Sequence, residues 1–285
     1  MSEAITALTG ARSGAARHPF TSRRLGEGLQ GVLGLFGFLL LWYLLSSVWG
    51  LGPFRRLPGP LEVFGEWISF APVYGISLFT ADYYAHIGAS LWRAWLAFLL
   101  AVATGVPLGL LMGWRKTVQD YAGGLIGLLR PIPPLAWVPL AILLLPTNEA
   151  AVIFVTFLVA FFAMVVNTIM GVRAIDKDYF RAARCLGASE WEVLRDVVLP
   201  GALPSIFTGL QVGMGAAWFS LAAGEMVAAQ HGLGFLIWEA YNLIQYPTIV
   251  IGMATLGLLG YISSALIRAL GAWLTRWRSQ AIAGG

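Results

Sequence analysis

Charge and cysteine are what this chain has least of. Of its 285 residues only 11% are charged, and Cys185 is the single cysteine. One cysteine excludes an internal disulfide framework and any multi-cysteine metal site. The three histidines, His18, His86 and His231, have no ligand-spaced partners in the sequence, so no metal site is expected. No cluster of His, Asp and Ser stands out as catalytic machinery. A G-x4-G-K-[ST] phosphate loop is also missing: Gly113-Trp114-Arg115-Lys116-Thr117 lacks the glycine ahead of its lysine. Catalytic residues, a bound nucleotide and a cofactor are therefore not expected in this chain. The formal net charge of +4 is small and scattered, which argues against a nucleic-acid surface. Residues 1–28 are polar, with Arg12, Arg17, Arg23 and Arg24. They contain no short apolar core followed by a small-residue cleavage site, so a secretory leader is not expected. A cytoplasmic tail is.

What is abundant is apolar. Hydrophobic residues make up 58% of the chain. A soluble core of that apolarity would lack the polar surface to cover it. A membrane-spanning helix needs about 20 mostly apolar residues. Six such runs are predicted: Leu29–Trp49, His86–Gly113, Tyr121–Leu145, Ala150–Val172, Leu203–Ala229 and Ile249–Trp273. The fold class is thus an all-α integral membrane protein of about six spans. Its expected organisation is a cytoplasmic tail over 1–28, a transmembrane domain over 29–275 and a second cytoplasmic tail over 276–285. The boundary between the third and fourth spans, Pro146-Thr147-Asn148-Glu149, leaves only a very tight turn.

Charge orients these spans, because cytoplasmic loops carry the excess of Lys and Arg. With both ends inside, the inner side holds the four tail arginines, Arg115, Lys116, Arg173, Lys177, Arg181, Arg184, Arg195, Arg276 and Arg278. The outer side holds Arg55 and Arg56, an asymmetry of about six to one. On the outer side, Leu61, Val63, Phe64 and Trp67 mark an amphipathic stretch along the membrane surface. Residues 230–248 are expected to hold a short outer helix.

Inside the spans, Gly105, Gly109 and Gly113 recur every fourth residue, as do Gly209 and Gly213. Such faces admit a closely packed neighbour. The third span carries Arg130-Pro131-Ile132-Pro133-Pro134 and Pro139. Proline density of that kind kinks a helix and frees backbone groups, which membranes tolerate where they line a cavity. Arg130, Pro133, Pro134 and Trp137 are therefore candidates to line a pathway. Among the ionisable residues near spans, Arg268 is read as snorkelling, and Arg93 and Glu239 as lying at the outer interface. Arg130 and Glu225 remain, each either lining a path or pairing within the packing.

The longest polar interruption lies at 176–204. Asp176 is placed to cap a short helix through Tyr179, Arg181, Ala182, Ala183 and Leu186. Gly187 stands where that helix would end in a positive-φ residue. After Ala188, Ser189 and Glu192 form an S-x-x-E capping box for a second helix, expected to stop at Leu199-Pro200. The result is a rigid cytoplasmic helical hairpin between two spans.

Ala182-Ala183-x3-Gly187-x9-Val197-x-Leu199-Pro200 resembles the EAA motif of ABC-importer permeases, EAA-x3-G-x9-I-x-L-P. The leading Glu of that pattern is Arg181 here, so a role resting on its carboxylate does not carry over. Arg130-Pro131-x-Pro133-Pro134-Leu135-Ala136-Trp137-x-Pro139-Leu140, Gly105-x-Pro107-Leu108-Gly109, Gly224-Glu225-Met226 and Gly232-Leu233-Gly234 resemble the nitrate/sulfonate/taurine/bicarbonate branch of these permeases. The resemblance covers roughly residues 85–270. It implies a type I importer fold in a bacterial inner membrane, moving a small anion or small organic solute. It also implies a second permease copy, two ATPase subunits carrying ATP and Mg, and an external solute-binding protein. The 176–204 hairpin would be the element that couples to the ATPase. A secondary transporter or channel independent of ATP is the alternative, and it leaves the hairpin unexplained.

Overall fold

The computed structural model describes residues 20–49 and 56–276. The chain divides into two units, Met1–Pro60 and Leu61–Gly285. The described residues are helical and contain no strand. Arg12, Arg17, His18, Arg55 and Arg278 lie outside the described residues.

In the first unit, α1 runs from Phe20 to Tyr43 and continues as a wider π turn over Leu44–Trp49. The helix thus begins inside the segment read as a polar tail. Val32, Leu33, Phe36 and Phe38 are all exposed. A helix apolar on several faces without covering side chains is what a lipid-facing span requires. The Trp42 Nε1–H donates to the Pro58 carbonyl at 3.0 Å.

The second unit opens with the short helix α2 (Pro60–Trp67), the amphipathic stretch expected there. Three long helices then form its core: α3 (Ala81–Trp114), α6 (Asn148–Arg173) and α9 (Leu199–Ala228). At 1.5 Å per residue each is long enough to cross about 30 Å of hydrocarbon. α11 (Tyr246–Leu274) is a fourth, and α10 (Leu233–Asn242) is the short helix ahead of it.

α6 lies between α3 and α9, and glycine makes that approach feasible. A Cβ on Gly109 would stand 2.7 Å from the Thr168 Cβ and 2.9 Å from the Val165 carbonyl oxygen. One on Gly113 would stand 2.7 Å from the Val172 Cβ. The four-residue glycine repeat therefore lies on the contact face with α6, where backbones come close without side chains between them. Met164, Met214, Trp218 and Leu221 fill the remaining space in the core.

The third expected span is not a kinked helix but a broken one. α4 (Lys116–Leu129) and α5 (Pro134–Leu144) meet at 101°. Their 14 and 11 residues give about 21 and 16 Å, so neither crosses alone. Five helices are long and apolar enough to span, or up to six with the bent pair taken as one. The cause is local. Pro131, Pro133 and Pro134 lack N–H donors, and a residue before proline is pushed out of the α region. Pro133 is accordingly extended, with φ −58° and ψ 140°, and Pro134 starts α5 at its first turn, where a missing donor costs nothing. The turn from α5 to α6 is as tight as the sequence implied, and the Thr147 hydroxyl caps it by accepting from the Ala150 N–H at 3.1 Å.

Candidate functional site

The hairpin begins where α6 ends. The Asp176 carboxylate accepts the Asp178 N–H at 3.0 Å and starts α7 (Lys177–Cys185). Gly187 has φ +80°, and the Ala188 N–H reaches back to the Ala183 carbonyl at 3.0 Å. That pairing closes the helix end as a positive-φ glycine turn does. The Ser189 N–H then donates to the Glu192 carboxylate at 2.6 Å, and the Glu192 N–H donates to the Ser189 hydroxyl at 3.3 Å, completing the capping box.

Beyond the box the chain departs from expectation. α8 (Glu190–Glu192) passes into a π-widened turn, Val193–Val198, and that turn feeds straight into α9. The second helix of the hairpin does not stop at Leu199-Pro200. Pro200 falls in the first turn of α9, and the register shifts through a Leu199 N–H to Leu194 carbonyl bond spanning five residues. The wider turn absorbs the proline without an exit from helix. Hairpin and span are thereby joined by continuous helical backbone.

α7 buries none of its residues completely. Phe180, Ala183 and Ala188 lean on a small core of Val172, Val193, Val198 and Ala202. The other face is open: Tyr179 is 66% exposed and Leu186 88%. Arg181, Ala182 and Ser189 are exposed as well. Arg181 bonds Asp178 at 2.9 Å, an intrahelical pair one turn apart. Cys185 is free and exposed.

The break between α4 and α5 opens a cleft of about 260 Å³. Arg130, Pro134 and Trp137 line it, facing Phe162 and Asn167 of α6 and Val212 of α9. Arg130 is exposed and has no acidic partner within ion-pair reach among the described residues. Pro133 is the residue that turns the chain into α5.

Glu225 is elsewhere. It is fully buried in α9, and Arg93 of α3, 2% exposed, donates to it from Nη1 at 2.7 Å. The Ser90 hydroxyl and the Gly234 N–H also bond the Glu225 carboxylate, at 2.8 and 2.9 Å. The other edge of the Arg93 guanidinium is taken by Glu149 of α6, with Nε–H to Oε2 at 2.6 Å. Nη1 also donates to the His231 carbonyl at 2.5 Å. One arginine therefore ties α3, α6, α9 and the strap leading to α10. Arg93 is thus buried within the bundle and held by two carboxylates, a pairing that its expected place near the outer interface does not suggest, and Glu149 is not singled out by its sequence context. The partners are 132 and 56 residues away in the chain, so no local spacing signals the set. His86 joins the same region. Its Nδ1 lies 3.0 Å from both the N–H and the carbonyl oxygen of Gly232, and its ring is 5.7 Å from that of His231. Among the described residues no three His, Cys, Asp or Glu side chains are grouped to hold a metal ion.

The described residues thus form a multi-span helical bundle with a proline-broken span, a buried ion network and a capped hairpin. Residues 105–280 match the family described as "Binding-protein-dependent transport system inner membrane component". The chain belongs to this family, the permease subunits of ABC transporters, and is a multi-span protein of the inner membrane. It is 34% identical over 242 residues to the taurine transport system permease protein TauC of Escherichia coli (strain K12), covering 85% of this chain and 87% of that one. The same identity over 282 residues relates it to the bicarbonate transport system permease protein CmpB of Synechococcus elongatus, covering 96% and 98%. Its fold is similar to a solved inward-facing conformation of the MetNI methionine ABC transporter, with a TM-score of 0.59 and 19% identity. That match covers 67% of this chain and 94% of the other.

Proposed function

We propose that two copies of this chain form the translocation pathway of an importer for a small oxyanion-bearing solute, driven by ATPases bound at the 176–204 hairpins. The observation that carries the reading is the hairpin itself. It is capped at three points, is continuous with α9, and carries the exposed Leu186 at the end of α7. Tyr179, Leu186 and Trp191 of the hairpin are each more than 60% exposed, so this rigid element offers several large apolar side chains to a partner rather than to the core of its own chain. Tyr179, Arg181, Ala182, Ala183, Gly187, Ala188, Ser189, Leu199 and Pro200 complete the coupling element.

The chain performs no catalysis in this scheme: ATP and Mg belong to the partner ATPase, and an external solute-binding protein delivers the solute. Both termini and the hairpin lie in the cytoplasm, in keeping with the distribution of Lys and Arg. When ATP draws the ATPases together, each hairpin moves with its partner and turns α9 against α3 and α6. Resetting of the ATPases returns the bundle to its inward-open arrangement.

The solute class follows from Arg130. An unpaired guanidinium beside Asn167 and Trp137 in a cleft between helices suits a compact oxyanion, which it can hold bidentately. The relatives named for taurine and bicarbonate transport handle solutes bearing such a group. Glu225 serves the packing of the bundle.

The test is solute uptake and ATPase activity of the complete complex at matched membrane abundance. A Cβ on Gly187 would meet nothing within 4 Å, so Gly187→Val leaves packing within the chain intact. It strains only the φ +80° turn, by about 1–3 kcal/mol. The expected outcome is normal insertion with loss of solute-stimulated hydrolysis and uptake, while Arg181→Glu retains both. Transport by Gly187→Val at the wild-type rate, with Arg181→Glu inactive, rules out the hairpin as the coupling element.

A further inference from the structure

Beside the hairpin lies a second concavity of about 440 Å³. Its rim carries four cations, Arg173, Lys177, Arg181 and Arg184, and no carboxylate lines it. Its floor is apolar, made by Trp114 at the end of α3, Val172 at the end of α6, and Phe180 of α7. The nearby acids are already engaged. Asp178 holds Arg181 at 2.9 Å, and Glu190 holds Arg115 at 2.9 Å and reaches Arg184 at 3.8 Å. Arg173 and Lys177 have no acidic partner within ion-pair distance among the described residues, and both are exposed.

The positive-inside bias accounts for the sign of these charges but not for their convergence. They surround one hollow at the level where two spans end, with an aromatic ring in its floor. Trp114 is half-buried, and the Arg115 guanidinium covers its ring at 4.3 Å. Tryptophan at a span end marks the headgroup level. A cationic rim over an apolar floor at that level matches a phosphate diester with an acyl chain attached. Basic hollows between spans on the cytoplasmic side bind lipid headgroups by this chemistry.

We infer that the hollow bounded by Arg173, Lys177, Arg184 and Trp114 is a binding site for the phosphate headgroup of one anionic phospholipid per permease copy. The lipid would wedge between the ends of α3 and α6 and the base of α7, and so hold the hairpin at its set angle to the spans. This site rests on the cytoplasmic placement of the hairpin proposed above.

The purified permease–ATPase complex in detergent can be titrated with phosphatidylglycerol and its bound lipid counted by native mass spectrometry. Each basic residue near an anionic lipid surface contributes about fivefold in binding, so removing two is expected to weaken the first bound lipid about thirtyfold. Arg173→Gln with Lys177→Gln should show that loss. Lys116→Gln with Arg195→Gln removes the same charge outside the hollow and should retain binding within about threefold. Phosphatidylcholine should not compete, nor should inorganic phosphate, which lacks the acyl chain. Equal losses in both double variants would reduce the effect to bulk charge and overturn the site. Ready displacement by inorganic phosphate would make it an anion site and not a lipid site. If Arg173→Gln with Lys177→Gln keeps its lipid but sheds the ATPase, the hollow is a protein-docking face and the inference fails. Sidedness is read independently by labelling Cys185 in sealed vesicles. A failed titration with Cys185 reachable only from inside overturns the lipid site alone.

Discussion

Replacing Arg93 by Met tests the buried network most directly. The methionine fills much of the space of the arginine stem but donates no hydrogen bond. It leaves the Glu225 carboxylate, 0% exposed, with only the Ser90 hydroxyl and the Gly234 N–H as partners. Breaking a buried pair by removing one member costs about 3–5 kcal/mol, because the remaining charge is uncompensated. Glu225→Gln is milder. It removes the buried charge and leaves Arg93 held by Glu149, so about 1–3 kcal/mol is expected for the imperfect hydrogen bonding that remains. Glu149 is a different case. Its side chain is 56% exposed and shares its charge with solvent, so Glu149→Gln should cost no more than about 1 kcal/mol. The decisive variant is the double one. Arg93→Met with Glu225→Gln removes both buried charges and should be more stable than Arg93→Met alone. Denaturant-dependent loss of folded complex in detergent, followed by tryptophan fluorescence, gives the order of the four variants. If the double variant is no more stable than Arg93→Met, or if Glu149→Gln is as damaging as Arg93→Met, the charge argument is wrong and the site is held by shape alone.

Four further outcomes are expected. Gly109→Ala should destabilise the bundle by about 1–3 kcal/mol, since its new methyl meets the Val165 carbonyl, which cannot swing aside. Gly127→Ala, with open space around it, should be neutral or slightly stabilising in the same unfolding assay. Cys185 should react with a membrane-impermeant thiol reagent in inside-out vesicles and stay unlabelled in right-side-out ones. The reverse pattern would invert the topology. Arg130→Gln should lower uptake of an anionic solute at least tenfold while ATPase stimulation by docking of the loaded binding protein persists, the effect expected for one lost charge-assisted contact. Unchanged uptake would remove Arg130 from the solute path.

The legible parts of this protein are those governed by nearest neighbours along the chain. Span positions follow from runs of apolar residues, and four of the long helices begin or end within a few residues of the expected limits. The caps of the hairpin were readable because Asp176, Gly187 and the Ser189–Glu192 pair each act over three or four residues. The glycine repeat identified a close-packed face, although its partner, α6, came only with the fold. What tertiary structure alone decided is of three kinds. Pro131, Pro133 and Pro134 promised a kink, but a 101° break, and hence a cleft, depends on how α4 and α5 settle against α6 and α9. Pro200 looked like a stop, yet a single widened turn let α9 run through it, because proline in a first turn has no intrahelical donor to lose. Arg93 reads as an interfacial charge from its position near a span end, and its partners, 132 and 56 residues away, leave no local trace. Burying a guanidinium is tolerable only when several helices bring carboxylates and carbonyls to it at once, and that convergence is a property of three-dimensional packing, to which no local pattern corresponds.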